Sequence, residues 1–315
     1  MLNVMCVLAT YAKAAILTHN YAMKRILMIG CGDIAMRVAP LLSARYRLFG
    51  LVRRTERFAG LRAANITPLP GDLDDRYSLA RISGLADAVL HLAPPSGKHI
   101  RDLRTRNLLA TLSRGRLPAR FIYISTSGVY GDCRGARVSE MRPLHPGTAR
   151  AQLRVDAEQQ VRNWAKRNHV NASILRVPGI YAADRLPLER LHSGIPAMVM
   201  EEDSYTNHIH ADDLARIVVA ALRHGQPNRV YHACDDSEMR MGDYFDTVSD
   251  ACNLPRVPRL PRREVERSVS PVLWSFMNES RRLTNERMKK GLKVKLRYPT
   301  VYDALASGHA VTPHA

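Results

Sequence analysis

The sequence predicts an α/β chain: a doubly wound parallel sheet followed by a smaller C-terminal lobe. Three observations carry this. Short apolar runs alternate with helix-length amphipathic segments, the pattern of βαβ units around a parallel sheet. The first run enters a glycine-rich turn, Gly30-Cys31-Gly32, with helical spacing after it. Beyond Arg176 the regular alternation loosens, as expected where a second lobe is inserted. The 315 residues, 46% hydrophobic and 24% charged, suffice for one sizeable core or two coupled domains.

Taken in order, strands are expected at 25–29, 46–52, 66–69, 88–92, 121–124 and 172–177. Helices fall between them, near 34–44, 76–83, 100–113 and 149–168. In the last of these, Leu153, Ala157, Val161 and Trp164 recur at helical spacing and form one buried face. That stripe serves either the core or a dimer interface. The segment from His208 to Leu214 leads into a helix ending near Leu222, and 229–232 reads as another strand. Asn253 to Arg263, NLPRVPRLPRR, is a proline-rich crossing, and Tyr298-Pro299-Thr300 opens a last short helix.

The formal charge is +18, and only eight of the 47 basic residues are lysine. Guanidinium forks suit phosphate and carboxylate ligands, although a solvated basic face accounts for many of them equally well. No motif of a nucleic-acid-binding module accompanies the charge, so nucleic acid is not the expected partner. Cys6, Cys31, Cys133, Cys234 and Cys252 are odd in number and scattered, without CxxC or Cys/His spacing. A reducing, cytoplasmic setting is therefore expected. Residues 1–22 are apolar but interrupted by Asn3, Thr10, Lys13 and His19, too broken for a membrane span. They lack a basic signal-peptide start and read as an extension outside the fold, with an amphipathic anchor as the second reading.

RILMIGCGDIA (25–35) is a strand entering GxGxxA with a helix to follow. Gly30 permits the tight turn, Gly32 lets backbone approach a pyrophosphate, and Ala35 allows close helix–strand packing. The helix start at Asp33 and Ile34 offers free N–H groups and a positive dipole to phosphates. At the end of the second strand, LVRRTER (51–57), an NAD site would carry an acid; Arg53 and Arg54 stand there instead. Arginine matches a 2′-phosphate, so NADP is favoured over NAD. Two further surface arginines in an arginine-rich chain remain the alternative.

FIYISTSGVYG (121–131) is an apolar strand running into Ser125, Thr126 and Ser127, then Gly128 to Gly131. It resembles the active-site strand of the extended short-chain dehydrogenases/reductases, the nucleotide-sugar epimerases and dehydratases. LRVPGIY (175–181), NHIHADDLA (207–215), YHACDD (231–236) and RYPTVYDAL (297–305) resemble that family's later elements in order and spacing. The resemblance spans roughly 24–306. It implies a Rossmann domain over 23–182, completed by 207–233, with 183–206 and 234–315 forming a substrate lobe.

It further implies that Asp72 and Leu73 lie on the adenine side of the cofactor and Ala93 and Pro94 on the nicotinamide side. Thr126 takes the place of the hydroxyl that binds the reacting group, beside Ser127, and Tyr130 is the nearest phenol. The family's YxxxK pair is missing, since Arg150 and Arg154 occupy the Tyr and Lys positions. Guanidinium cannot act as that acid/base, because it stays protonated. Arg150 and Arg154 bind an anionic substrate group or simply decorate the helix. His208 and His210 alternate onto one strand face, and the family has a similar joint without metal, so no metal is expected. Asn253 to Arg297 holds 13 basic and four acidic residues, in the region where the family holds a nucleoside diphosphate. The expected function is redox or epimerase/dehydratase chemistry on a small anionic metabolite such as a nucleotide sugar. A non-catalytic NADP(H)-sensing protein is the alternative.

Overall fold

A computed structural model describes residues 25–97 and 100–307; the expectations for 1–22 lie outside the described residues. Seven strands form one parallel sheet: β1 (Arg25–Ile29), β2 (Arg47–Val52), β3 (Ile66–Pro70), β4 (Ala88–His91), β5 (Arg120–Thr126), β6 (Asn171–Val177) and β7 (Arg229–His232). Their order is β7-β6-β5-β4-β1-β2-β3, every neighbouring pair parallel. The chain steps outward from β1 to β3, then crosses back to β4. The strand order therefore reverses between β1 and β4, and a crevice opens beyond the carboxyl ends of those two strands.

Continuous apolar strands demand cover on both faces, and four helices help to supply it, α1 (Asp33–Leu42), α2 (Leu103–Leu112), α3 (Ala149–Asn168) and α4 (Ala211–His224), while α5 (Met241–Ala251) belongs to the smaller lobe. On one face, Ala35, Val38 and Leu42 of α1 pack with Leu214, Val218 and Leu222 of α4. On the other, Leu108 and Leu112 of α2 join Ala157, Val161 and Trp164 of α3. The helical stripe of α3 is thus spent inside the chain, with Trp164 edge-on to Phe121 of β5 at 5.5 Å. Thr148 caps the start of α3 by accepting from the Ala151 amide, and His169 ends it in the left-handed region at φ 54°. Residues 76–83, expected as a helix, form the 3-10 helix Arg76–Ile82, capped by Asp75.

The smaller lobe has its own cluster, in which Tyr244, Phe245 and Val248 of α5 meet Tyr181, Tyr298 and Val301. Asp213, fully buried at the start of α4, accepts from the backbone amides of Arg297 and Tyr298 at 2.7–2.9 Å and so fastens the two lobes together. The division expected at 234 is not clean, because Met288, Leu292 and Leu296 pack into the sheet domain's core beside α4. Their apolar side chains complete a face that α1 and α4 leave partly open. No helix among the described residues is long and apolar enough to cross a membrane.

At the carboxyl end of the sheet the core becomes polar. Arg176 of β6 makes a two-pronged pair with Glu158 of α3, at 2.7 and 3.1 Å, with side-chain exposures of 4% and 3%. Its Nη1 donates to the Tyr130 hydroxyl at 2.6 Å. A buried pair of this kind resists the loss of one partner, since the other is left charged in a low-dielectric interior. Glu158→Gln is therefore expected to lower unfolding stability by about 3–5 kcal/mol, read from the urea midpoint. A loss under about 1 kcal/mol, the scale of an exposed pair, would show that water reaches Arg176.

Candidate functional site

β1 delivers the chain to Gly30, which sits at φ +90°, a conformation that disfavours any side chain. A Cβ there would also stand 2.6 Å from the Ala93 nitrogen, so only glycine lets β1 turn beneath the loop after β4. Gly32 is different: a Cβ would meet nothing within 4 Å, because its outer side opens into a cavity. Gly32 begins α1 without a side-chain cap, leaving the first-turn N–H groups available to an anion.

This cavity, about 560 Å³, fills the crevice between β1 and β4. Gly30, Gly32, Asp33, Ile34, Ala35, Arg53, Arg54, Asp72, Leu73, Ala93 and Pro94 all line it, so the structure gathers every residue expected around the dinucleotide. Arg53 lies 3.9 Å from Asp72 in a half-exposed pair that leaves it free to move. Sequence reasoning missed three arginines that also line the wall. Arg57 belongs to the same LVRRTER segment, and a 3-10 turn folds it back so that Nη2 donates to the Cys31 carbonyl at 2.9 Å. Arg104 holds Asp74 at 2.7 Å and the Pro94 carbonyl at 3.2 Å, bracing the β4 loop. Arg185 comes from the other lobe and donates to Asp33 at 3.0 Å. Cys31 is no nucleophile here, because burial pushes its thiol up to about 12.

A second cavity, about 350 Å³, lies between the end of β5 and the smaller lobe. Thr126, Ser127 and Arg150 line it, together with His208, Tyr244, Phe276 and Arg281. Thr126 Oγ1 accepts from the Gly128 amide at 3.3 Å, so its proton stays available to a ligand oxygen. The Arg150 guanidinium lies 4.0 Å over the Phe276 ring, where a cation is held without being neutralised. Arg281 carries less free charge, being paired with Glu279 at 2.8 Å.

Two expected residues are elsewhere. Arg154 lines neither cavity: its Nη1 donates to the Ile124 carbonyl at 2.7 Å and to the Tyr123 hydroxyl at 3.1 Å. Four residues along α3 preserves the helix face, but there the helix lies against β5, and the strand's carbonyl captures the guanidinium. The pair Arg150/Arg154 is therefore not a two-armed clamp.

Tyr130 is 1% exposed and also outside both cavities. His232 Nδ1 faces the Thr284 carbonyl at 2.8 Å and must donate to it, which makes Nε2 an acceptor. The Tyr130 hydroxyl, 2.6 Å away, donates to that Nε2 while accepting from Arg176. Burial pushes the phenol up to about 12 and lowers His232 to about 3, so both stay neutral. A phenol bonded in this way has no proton to offer a substrate.

Among the described residues no group of three or more His, Cys, Asp or Glu side chains is placed to hold a metal ion. His208 stacks on Tyr244 at 4.1 Å and is lowered to about 3 by burial. His210 lies against Tyr298, and its Nδ1 accepts from the Asp212 amide at the start of α4.

The profile of the NAD dependent epimerase/dehydratase family matches residues 35–234. The GDP-6-deoxy-D-mannose reductase of Pseudomonas aeruginosa is 25% identical over 216 residues, 59% of this chain and 71% of that protein. A functionally unknown conserved protein from Silicibacter pomeroyi superposes with a TM-score of 0.74 at 26% identity, covering 91% of this chain and 98% of that one. The UDP-glucose 4-epimerase of Thermotoga maritima, solved with UDP-glucose, gives 0.72 at 17% identity, covering 89% and 96%, a likeness of fold.

Removing the Tyr130 hydroxyl tests its structural role. Tyr130→Phe strands His232 Nε2 and one Arg176 donor, and is expected to cost about 1–3 kcal/mol of stability by urea unfolding. Ligand affinities, measured by calorimetry on the folded variant, are expected to stay at the wild-type level. Wild-type stability combined with lost turnover would make the phenol a reagent after all.

Proposed function

Because the chain belongs to the NAD dependent epimerase/dehydratase family, we propose that it binds NADP in the larger cavity and acts on an anionic metabolite, a nucleotide sugar, in the smaller one. The observation that carries this reading is that the two cavities adjoin, sharing Ile180 and Arg185, with Thr126 in the second wall. The residues present fit the dinucleotide. The open side of Gly32 and the uncapped start of α1 suit its pyrophosphate, and Arg53, Arg54 and Arg57 surround the end of β2 where a 2′-phosphate is read. When bound, the dinucleotide supplies hydride exchange. Thr126 and Ser127 orient the reacting oxygen by hydrogen bonds, and Arg150 on its Phe276 platform takes the ligand's negative group.

What the chain does not bring to this cavity is the family's Tyr–Lys proton shuttle. Neutral alcohols are thus poor substrates on this reading. The locked Tyr130 also favours a second reading, a protein that binds NADP(H) and reports its state without turnover. Cofactor oxidation with any nucleotide sugar separates the two. A homodimer through α3 would rest on the polar side of that helix, where Gln159, Asn163 and Arg167 lie, since its apolar stripe is buried.

The cofactor assignment has a direct test. A charge-assisted hydrogen bond contributes about 1.5–3 kcal/mol, so NADPH is expected to bind roughly 10- to 100-fold more tightly than NADH. Calorimetry on Arg53→Ala/Arg54→Ala is expected to show that ratio collapse. Equal affinities for the two dinucleotides in the wild type would refute the NADP assignment.

A further inference from the structure

Among the described residues, Arg185 is the cation common to both cavity walls, and its surroundings leave it free to serve either. It ends the short turn Ala183–Arg185, whose middle residue, Asp184, is gripped by Arg37 at 2.7 and 2.9 Å. The turn's backbone is therefore anchored to α1. Arg37 also holds Asp33 at 2.9 Å and Asp212 at 2.8 Å. Arg185 itself has one ion-pair partner, Asp33, at 3.0 Å, and its side chain is 37% exposed. Asp33 would keep Arg37 as counter-ion if Arg185 swung away. An exposed pair of this kind contributes little, so a stronger anion in either cavity can take the guanidinium over.

We infer that Arg185 is a phosphate ligand shared by the two cavities, parked on Asp33 until a diphosphate group arrives. This rests on the dinucleotide reading above and adds to it a residue placed to meet either ligand. The diphosphate has two sources: the cofactor's pyrophosphate in the larger cavity, or a nucleoside diphosphate in the smaller. A guanidinium fork binds either in the same way.

Calorimetric titration of the full chain with NADPH, then of the NADPH-saturated protein with inorganic pyrophosphate, tests this. Arg185→Gln is expected to weaken at least one ligand about 10-fold or more, the scale of one charge-assisted hydrogen bond. Loss for NADPH assigns Arg185 to the cofactor; loss for pyrophosphate alone assigns it to the second ligand. Arg185→Lys is expected to restore much of the affinity, and Asp33→Asn, which releases Arg185, to tighten the same ligand several-fold. Wild type and Arg185→Gln binding both ligands within about twofold of each other overturns the inference alone. A wild type that binds no NADPH overturns the functional reading, and this inference with it.

Discussion

A guanidinium buried inside a parallel sheet has to be answered on every side, and the carboxyl end of this sheet is built around that demand. Arg176 cannot lose its proton, so Glu158 supplies the opposite charge and Tyr130 a third acceptor. Tyr130 then needs an acceptor of its own, which fixes the tautomer of His232, which in turn binds the Thr284 carbonyl. One chain of donors and acceptors thus joins β6, α3, the end of β5, β7 and the C-terminal segment. The tyrosine that a motif would nominate as a reagent is committed to holding the fold.

The same requirement shapes the crevice. Arg37 satisfies three carboxylates at once, from α1, the turn after β6 and α4, and so sets the smaller lobe against the glycine turn. Asp213 repeats the device from the other side, receiving the backbone of Arg297 and Tyr298. With the lobes fixed by buried or half-buried charge, several arginines of the cavities, among them Arg53, Arg54, Arg150 and Arg185, are left comparatively free. The chain's excess of positive charge is therefore not uniform in meaning: part of it is structural and part is available to anions.

The sequence made the sheet legible because parallel strands buried on both faces are continuous apolar runs. The glycine turn was equally clear, since Gly30 meets a steric limit that no other residue satisfies. What stayed hidden depended on depth and on distant partners. Helical spacing put Arg150 and Arg154 on one face of α3, but it could not tell that Arg154 would meet the Ile124 carbonyl. Motif position marked Tyr130, while its true partners, Arg176 and His232, lie 46 and 102 residues away. Arg57 and Arg185 reach the cavities only through turns, whose placement has no periodic signal.

The most direct measurement of the central claim is a crystal structure of the NADPH complex. The account requires the pyrophosphate over Gly32 at the start of α1. It places the 2′-phosphate within ion-pairing distance of Arg53, Arg54 or Arg57, with Tyr130 still bonded to His232 and Arg176. A cofactor seated away from the glycine turn, or a Tyr130 hydroxyl turned out towards the nicotinamide, would contradict it.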